Sequence, residues 1–162
     1  MHRLHETAEA VAAALRERKM TVAVAESASG GLISAALLMI AGASAYYLGG
    51  GVIYTPRARH RLLGLRREDV RGLKSASEPY ATCLASTVRA QFSADWGIGE
   101  TGAAGPTGNP YGDAAGHSCI AVAGRNLTVA ATLETGSPDR LANMVAFSDA
   151  ALRLLLVQIE RG

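Results

Sequence analysis

Two short apolar runs are each followed at once by a glycine-rich turn, and that pairing restricts the folds open to this chain. TVAVA (Thr21–Ala25) leads into ESASGG (Glu26–Gly31), and WGIGE (Trp96–Glu100) leads into TGAAGPTGNPYGD (Thr101–Asp113). A short apolar run bounded by turn residues reads as a buried strand, and glycine behind it lets the backbone turn sharply or approach a ligand closely. Helical patterns fill the intervals. Ala8, Val11, Ala12 and Leu15 recur at helical spacing within His5–Lys19, and Leu32–Ile40, apolar on nearly every side, predicts a buried helix. Pro56 suits the first turn of a helix running to Leu63. Ser77 suits the N-cap of one running to Phe92, and Asp139 opens a last helix to about Glu160. Tyr46–Thr55 (YYLGGGVIYT) predicts a strand whose three glycines imply a bulge or a close approach. His117–Ala123 and Leu127–Glu134 predict a hairpin turning at Gly124–Asn126. Strand–helix alternation followed by a hairpin predicts a three-layer α/β/α sandwich with a mixed β-sheet, as one domain over residues 1–162.

Composition excludes several classes. At 49% apolar and 19% charged residues, the chain buries enough apolar surface to offset its ordering entropy, so disorder is excluded. The longest apolar stretch, Gly30 to Ala43, falls short of the ~20 residues a bilayer requires, so no membrane span is expected. MHRLHETAEA carries charge where a secretory signal needs an apolar run, which leads to the expectation of a cytoplasmic protein. Cys83 and Cys119 lie in apolar segments without metal-ligand spacing, so neither a disulfide framework nor structural zinc is expected. The four histidines, His2, His5, His60 and His117, show no ligand spacing either and read as surface side chains.

Net charge is +2, carried by 14 arginines and two lysines. Arg57, Arg59, Arg61, Arg66 and Arg67, followed by Glu68 and Asp69, read as a solvated helix face, a phosphate-contacting patch or a duplex-binding patch. The duplex reading is the least favoured, because the run is short and partly balanced by acids; no nucleic-acid partner is expected.

Chemistry is expected at the two glycine-rich turns. The helix after ESASGG would offer unpaired N–H groups and a positive dipole end to an anion or oxyanion. Ser27 and Ser29 there read as caps of the turn or as nucleophiles. No Walker lysine is present, and neither G-x-S-x-G nor S-x-x-K fits. The Thr101–Asp113 loop lies at the carboxyl edge of a sheet, where α/β ligands usually bind.

ESASGG, then AGASAYYLGGGVIYTPRARHRLLGL, SASEP and TGAAGP, in this order, resemble the CinA C-terminal domain family. That family's blocks run approximately ESCTGG, PGSS…GGVVAYSNEAK…LLGV, GAVSEE, TGIAGP…KPVGT and a late GDR. The blocks span about Glu6 to Leu156. The resemblance implies a nicotinamide mononucleotide amidase, with Ser27 as nucleophile and Tyr54, Arg59 and Thr101 in the catalytic group. It further implies Glu26, Ser29, Gly30, Gly31, Gly102 and Arg140 as substrate-binding positions, and neither metal nor organic cofactor. The implied reaction is attack on the carboxamide, release of ammonia and hydrolysis of the acyl-enzyme to nicotinate mononucleotide.

Three positions depart from the pattern. The lysine that would act as base falls on Arg59, and a guanidinium stays protonated at neutral pH. The lysine of KPVGT falls on Asp113, and Lys74 stands where the family has glycine. Lys74 and His60 are the candidate substitute bases. The expectation is a small-molecule, mononucleotide-like partner with amidase activity weak or lost; the alternative is a non-catalytic nucleotide-binding or sensor module. Self-association as a homodimer or higher homo-oligomer is also expected from the apolar helices and the glycine-rich strand.

Overall fold

The computed structural model describes residues 1–162. Its elements are α1 (His2–Arg18), β1 (Val22–Glu26), α2 (Leu32–Leu38), β2 (Tyr47–Val52), α3 (Pro56–Leu63), α4 (Glu78–Phe92), β3 (Trp96–Ala103), β4 (His117–Ala123), β5 (Thr128–Glu134) and α5 (Arg140–Arg161), with short 3₁₀ turns at Ala43–Ala45 and Arg67–Val70. The strands form one sheet in the order β2-β1-β3-β4-β5. β1 runs parallel to β2 and β3, whereas β3–β4 and β4–β5 are antiparallel. The mixed sheet follows from the connections: helical crossovers join the first three strands, and a short hairpin turn joins the last two.

Strand alternation divides the core into two layers. Val22, Val24, Ile98, Ile120 and Val122 point to one side, where they meet Leu4, Val11 and Leu15 of α1, Ile33 and Leu37 of α2, and Leu152, Leu155 and Ile159 of α5. Ala23 and Ala25 point to the other side, towards Leu84 and Val88 of α4, and Cys119, Ala121 and Ala123 meet Ala81 and Ala85. The α4 layer is built from small residues because the helix lies almost backbone-to-backbone on β3. A Cβ at Gly97 would stand 2.2 Å from the Ala85 carbonyl oxygen, and one at Gly99 2.1 Å from that of Ala81.

The glycine triplet behaves as its composition implies. The β1–β2 register slips between Val22↔Tyr47 and Ala23↔Gly49, leaving Leu48 as an extra residue. At Gly50 a Cβ would lie 1.8 Å from the Val24 carbonyl oxygen. Helix starts also match local chemistry: Thr55, Ser77 and Asp139 accept the N–H of Ala58, Tyr80 and Ala142, respectively. Several boundaries differ from expectation. α1 begins at His2 rather than His5. β3 extends through Ala103 because antiparallel β4 pairs with it as far as Ala103↔His117; β2 stops at Val52, where pairing with β1 ends at Glu26; and α2 ends at Leu38. By length and apolar content α5 could cross a bilayer, but its Phe147, Leu152, Leu155 and Ile159 are buried inside the sandwich.

Chain order places β1 beside β2 and β3, with α2 leaving to one face and α4 returning on the other. β1 therefore sits at a topological switch point, and its carboxyl end is where an open α/β sheet presents a crevice.

Candidate active site

A cavity of about 260 Å³ opens at that end. Ser27 enters it from the residue after β1, Tyr54 from the segment after β2, Arg59 from α3, and Thr101 and Gly102 from the end of β3. Positions up to 75 residues apart in the chain thus converge because three parallel strands end together. Ser75, Ala76, Tyr80, Asn109 and Tyr111 also line the cavity; sequence reasoning did not single them out. Asn109 and Tyr111 lie in the Thr101–Asp113 loop where chemistry was expected, and Tyr80 lies one turn into a helix capped by Ser77.

The turn below Ser27 is held by two buried carboxylates. Glu26 accepts the hydroxyl of Ser29 (2.6 Å) and the N–H groups of Gly31 (2.9 Å), Ile33 (3.0 Å) and Ser34 (2.9 Å). These are the first turn of α2, so the expected anion site is corrected: an internal carboxylate already occupies the positive helix end. Glu100 Oε2 accepts the N–H groups of Ser27 and Ser29, each at 2.9 Å, and its Oε1 accepts the Ser118 hydroxyl at 3.1 Å.

Ser29 Oγ also lies 2.8 Å from Glu100 Oε2. Ser29 has one hydroxyl proton and two carboxyl partners, so one contact requires a proton on a carboxyl group. Glu26 has four donors to satisfy its charge. Burial pushes the Glu100 carboxyl above its usual 4.5, the Ser27 and Ser29 donors offset this only in part, and the Glu26 charge adds to the rise. The proton therefore belongs to Glu100. The two groups, distant in the chain, are a pair only because β1 and β3 are neighbours.

Consequently Glu26 and Ser29 lie beneath the cavity, fully buried, and Gly30 and Gly31 belong to the α2 turn. Ser27 alone of ESASGG lines the cavity. Thr101 Oγ1 accepts the Ala76 N–H at 3.2 Å, which leaves its hydroxyl proton free for a ligand oxygen. Ala76 holds a left-handed backbone (φ 55°), unusual for alanine. It is pinned by Thr101 and by His117 Nε2, 2.7 Å from its carbonyl.

Arg59 is half-buried. Its Nη1 lies 3.4 Å from Tyr80 Oη, and its Nε is buried without a hydrogen-bond partner. An unpaired buried donor costs about 1–3 kcal/mol, and such an orphan at a cavity wall is met by a ligand or a water. Arg140 lines an adjoining cavity of about 190 Å³ that shares Tyr54, Gly102 and Asn109 with the first. It donates to the Gly105 carbonyl at 2.5 Å and lies 3.4 Å from Tyr54 Oη.

Neither substitute base lines the cavity. His60 is exposed on α3. Lys74 pairs with Asp113 at 3.4 Å, and Asp113 also accepts from Asn109 Nδ2 at 2.9 Å. The Asn109 hydrogen bond, aided by His117 and Lys74, holds the Asp113 carboxyl below its usual range. The departures at 74 and 113 are thus one local ion pair. His117, expected at the surface, is instead buried. Its Nδ1 meets the Glu134 carboxylate and its Nε2 the Ala76 carbonyl, and neither partner offers a proton when Glu134 is ionised. Burial opposes the charged ring, but Glu134, the Ala76 carbonyl and Asp113 outweigh it and hold the pKa above 6.5.

A model of the CinA C-terminal domain matches residues 4–159. The chain belongs to the CinA C-terminal domain family. It is 37% identical over 156 residues to a CinA-like protein of Chlorobaculum tepidum, covering 94% of this chain and 37% of that protein. With a CinA-like protein of Syntrophus aciditrophicus it shares 41% over 158 residues, covering 97% and 38%. The chain thus spans little more than a third of the length of these relatives. A CinA superfamily protein from Klebsiella pneumoniae superposes with a TM-score of 0.91 at 27% identity, covering 98% of this chain and 99% of that one. A competence or damage-inducible protein from Enterobacter asburiae gives 0.88 at 30% identity, covering 96% and 98%. The CinA family therefore accounts for the whole sandwich.

Proposed function

We propose that the Ser27 cavity is a nicotinamide-nucleotide amidase site that has lost its base: it binds a mononucleotide, and cleavage of the carboxamide is slow or lost. The observation that carries this reading is the lining itself. Of the thirteen residues around the cavity, the only cation is Arg59, and none is lysine, histidine, aspartate or glutamate.

The chemistry follows from that set. Attack by Ser27 Oγ on the carboxamide carbon forms a C–O bond, and the Ser27 proton must leave as it does so. Collapse then breaks the C–N bond and expels the amide nitrogen as ammonia, which takes up one proton and so balances the one that Ser27 released to solvent. Water hydrolyses the acyl-serine and regenerates the hydroxyl. Thr101 Oγ1 and the Arg59 guanidinium supply hydrogen-bond donors for the developing oxyanion, an effect that works without proton transfer. Arg140, beside Tyr54, supplies a positive group for the nucleotide phosphate. Proton removal from Ser27 has no protein acceptor, and absence of a positioned base costs roughly 10²–10⁴-fold in rate.

The test is ammonia release from nicotinamide mononucleotide by the wild-type chain and by Arg59→Lys. Slow or absent turnover in the wild type, raised about 10²-fold or more by Arg59→Lys and abolished by adding Ser27→Ala, is the expected result. Fast wild-type turnover that Ser27→Ala removes would show that arginine is no obstacle. Calorimetric binding of the mononucleotide by wild type, weakened by Arg140→Ala, tests the binding half separately; absence of binding overturns it.

A further inference from the structure

We propose that Arg59, Arg67 and Arg71 form a second anion site, a cleft for an oligophosphate chain: inorganic pyrophosphate or the phosphates of a nucleoside diphosphate or triphosphate. The three arginines line a cavity of about 560 Å³ with Val70 and Gly72 as its remaining walls. It is roughly twice as large as the Ser27 cavity. Arg59 is the one residue common to both.

The nearby acids are already engaged. Arg66 takes Glu68 at 3.3 Å and Asp69 at 3.3 Å. Asp69 also accepts the Arg66 backbone N–H at 2.7 Å, which closes the 3₁₀ turn. That turn splits the arginine run into two kinds. Arg66 is neutralised within the turn, whereas Arg67 and Arg71 project from its two ends with no carboxylate partner. Arg59 has none either, and its buried Nε lacks any partner.

Three arginines lining one concavity with no internal counter-charge match an anion of similar total charge. A single phosphate, at about −1.5 to −2, falls short of three positive charges, whereas two linked phosphates approach it. Guanidiniums also present planar forks suited to bidentate contact with phosphate oxygens. Arg57 and Arg61 come from the same run but line neither cavity, so they provide an internal control.

The experiment is calorimetric titration of the folded chain with pyrophosphate, orthophosphate and ADP at one fixed low ionic strength, because such contacts are screened by salt. Pyrophosphate is expected to bind the wild type, to lose about tenfold or more in affinity in Arg67→Ala/Arg71→Ala, and to change less than about twofold in Arg57→Ala/Arg61→Ala. ADP binding alongside pyrophosphate marks nucleotide tails as a source of the ligand; ADP failing where pyrophosphate binds marks the free anion. Equal losses in both double variants reveal a diffuse charge effect and overturn the cleft. So does orthophosphate binding as tightly as pyrophosphate, or no pyrophosphate binding at all. Ammonia release is not a readout here, so the cleft stands or falls apart from the amidase reading.

Discussion

On the β1 side of the Ser27 cavity, Glu26 and Glu100 are buried with no cation beside them, and backbone N–H groups and serine hydroxyls satisfy them. On the α3 side, Arg59, Arg67 and Arg71 face a cavity with no carboxylate beside them. One wall has buried its acidic groups and completed their bonding; the other has left its charges open. The difference teaches that a glycine-rich turn ahead of a helix need not be a ligand site, since here the protein supplies the anion itself. The groups whose hydrogen bonding is unfinished are the Ser27 hydroxyl, the Thr101 proton and the Arg59 Nε. The His117 corner lies between these extremes, its ring facing Glu134 and Asp113 and holding Ala76 in the cavity wall.

If that contrast is sound, stability should depend strongly on the carboxylate wall. Glu26→Ala leaves three N–H groups at the start of α2 without their acceptor. A loss of about 3 kcal/mol or more is expected in denaturant unfolding; a loss below about 1 kcal/mol would mean that water replaces the carboxylate.

The His117 corner comes next. Because its folded pKa lies above the unfolded 6.5, the stability it adds is complete below pH 6.5 and is lost as pH rises through the folded value. His117→Gln should cost about 1–2 kcal/mol at pH 6 and less at pH 9. A loss independent of pH would show that the ring is neutral in the fold.

Glu100→Gln is expected to be milder, about 1 kcal/mol or less, since the replaced group is already uncharged. The sign follows from the raised pKa: the wild type is favoured with the carboxyl protonated and loses stability as pH rises above about 4.5 through the folded value. Glu100→Gln should flatten that descent; an unchanged slope would assign the buried proton elsewhere. Arg67→Ala/Arg71→Ala should move stability least, within about 0.5 kcal/mol, because neither side chain has a partner to lose. A larger fall would give those arginines a structural role and weaken the contrast.

Local elements were highly legible in the sequence. Pro56 and Gly64 bracket α3, Ser77 and Asp139 cap α4 and α5, and β2 carries a bulge at Leu48, just before its three glycines, and a close contact at Gly50. Of the candidate site, Ser27, Tyr54, Arg59, Thr101 and Gly102 meet in one cavity. Glu26 and Ser29 were visible as positions but not as buried supports, and Glu100 read as an ordinary strand residue. Lys74 and Asp113 stood out separately, with nothing in the chain order to show that they pair.

The sequence alone determined which segments are helix or strand and where α3, α4 and α5 start, because caps, proline and apolar period act on neighbouring backbone dihedrals; the ends of β2 and β3 were set by pairing with β1 and β4. Tertiary structure alone decided which charges are spent and which remain free. Glu26 meets Glu100 through Ser29 across adjacent strands, and Arg59 meets Arg67 and Arg71 across a turn. Whether a charged group is neutralised depends on what packs within a few ångströms of it, and that is set by strand order rather than by spacing along the chain.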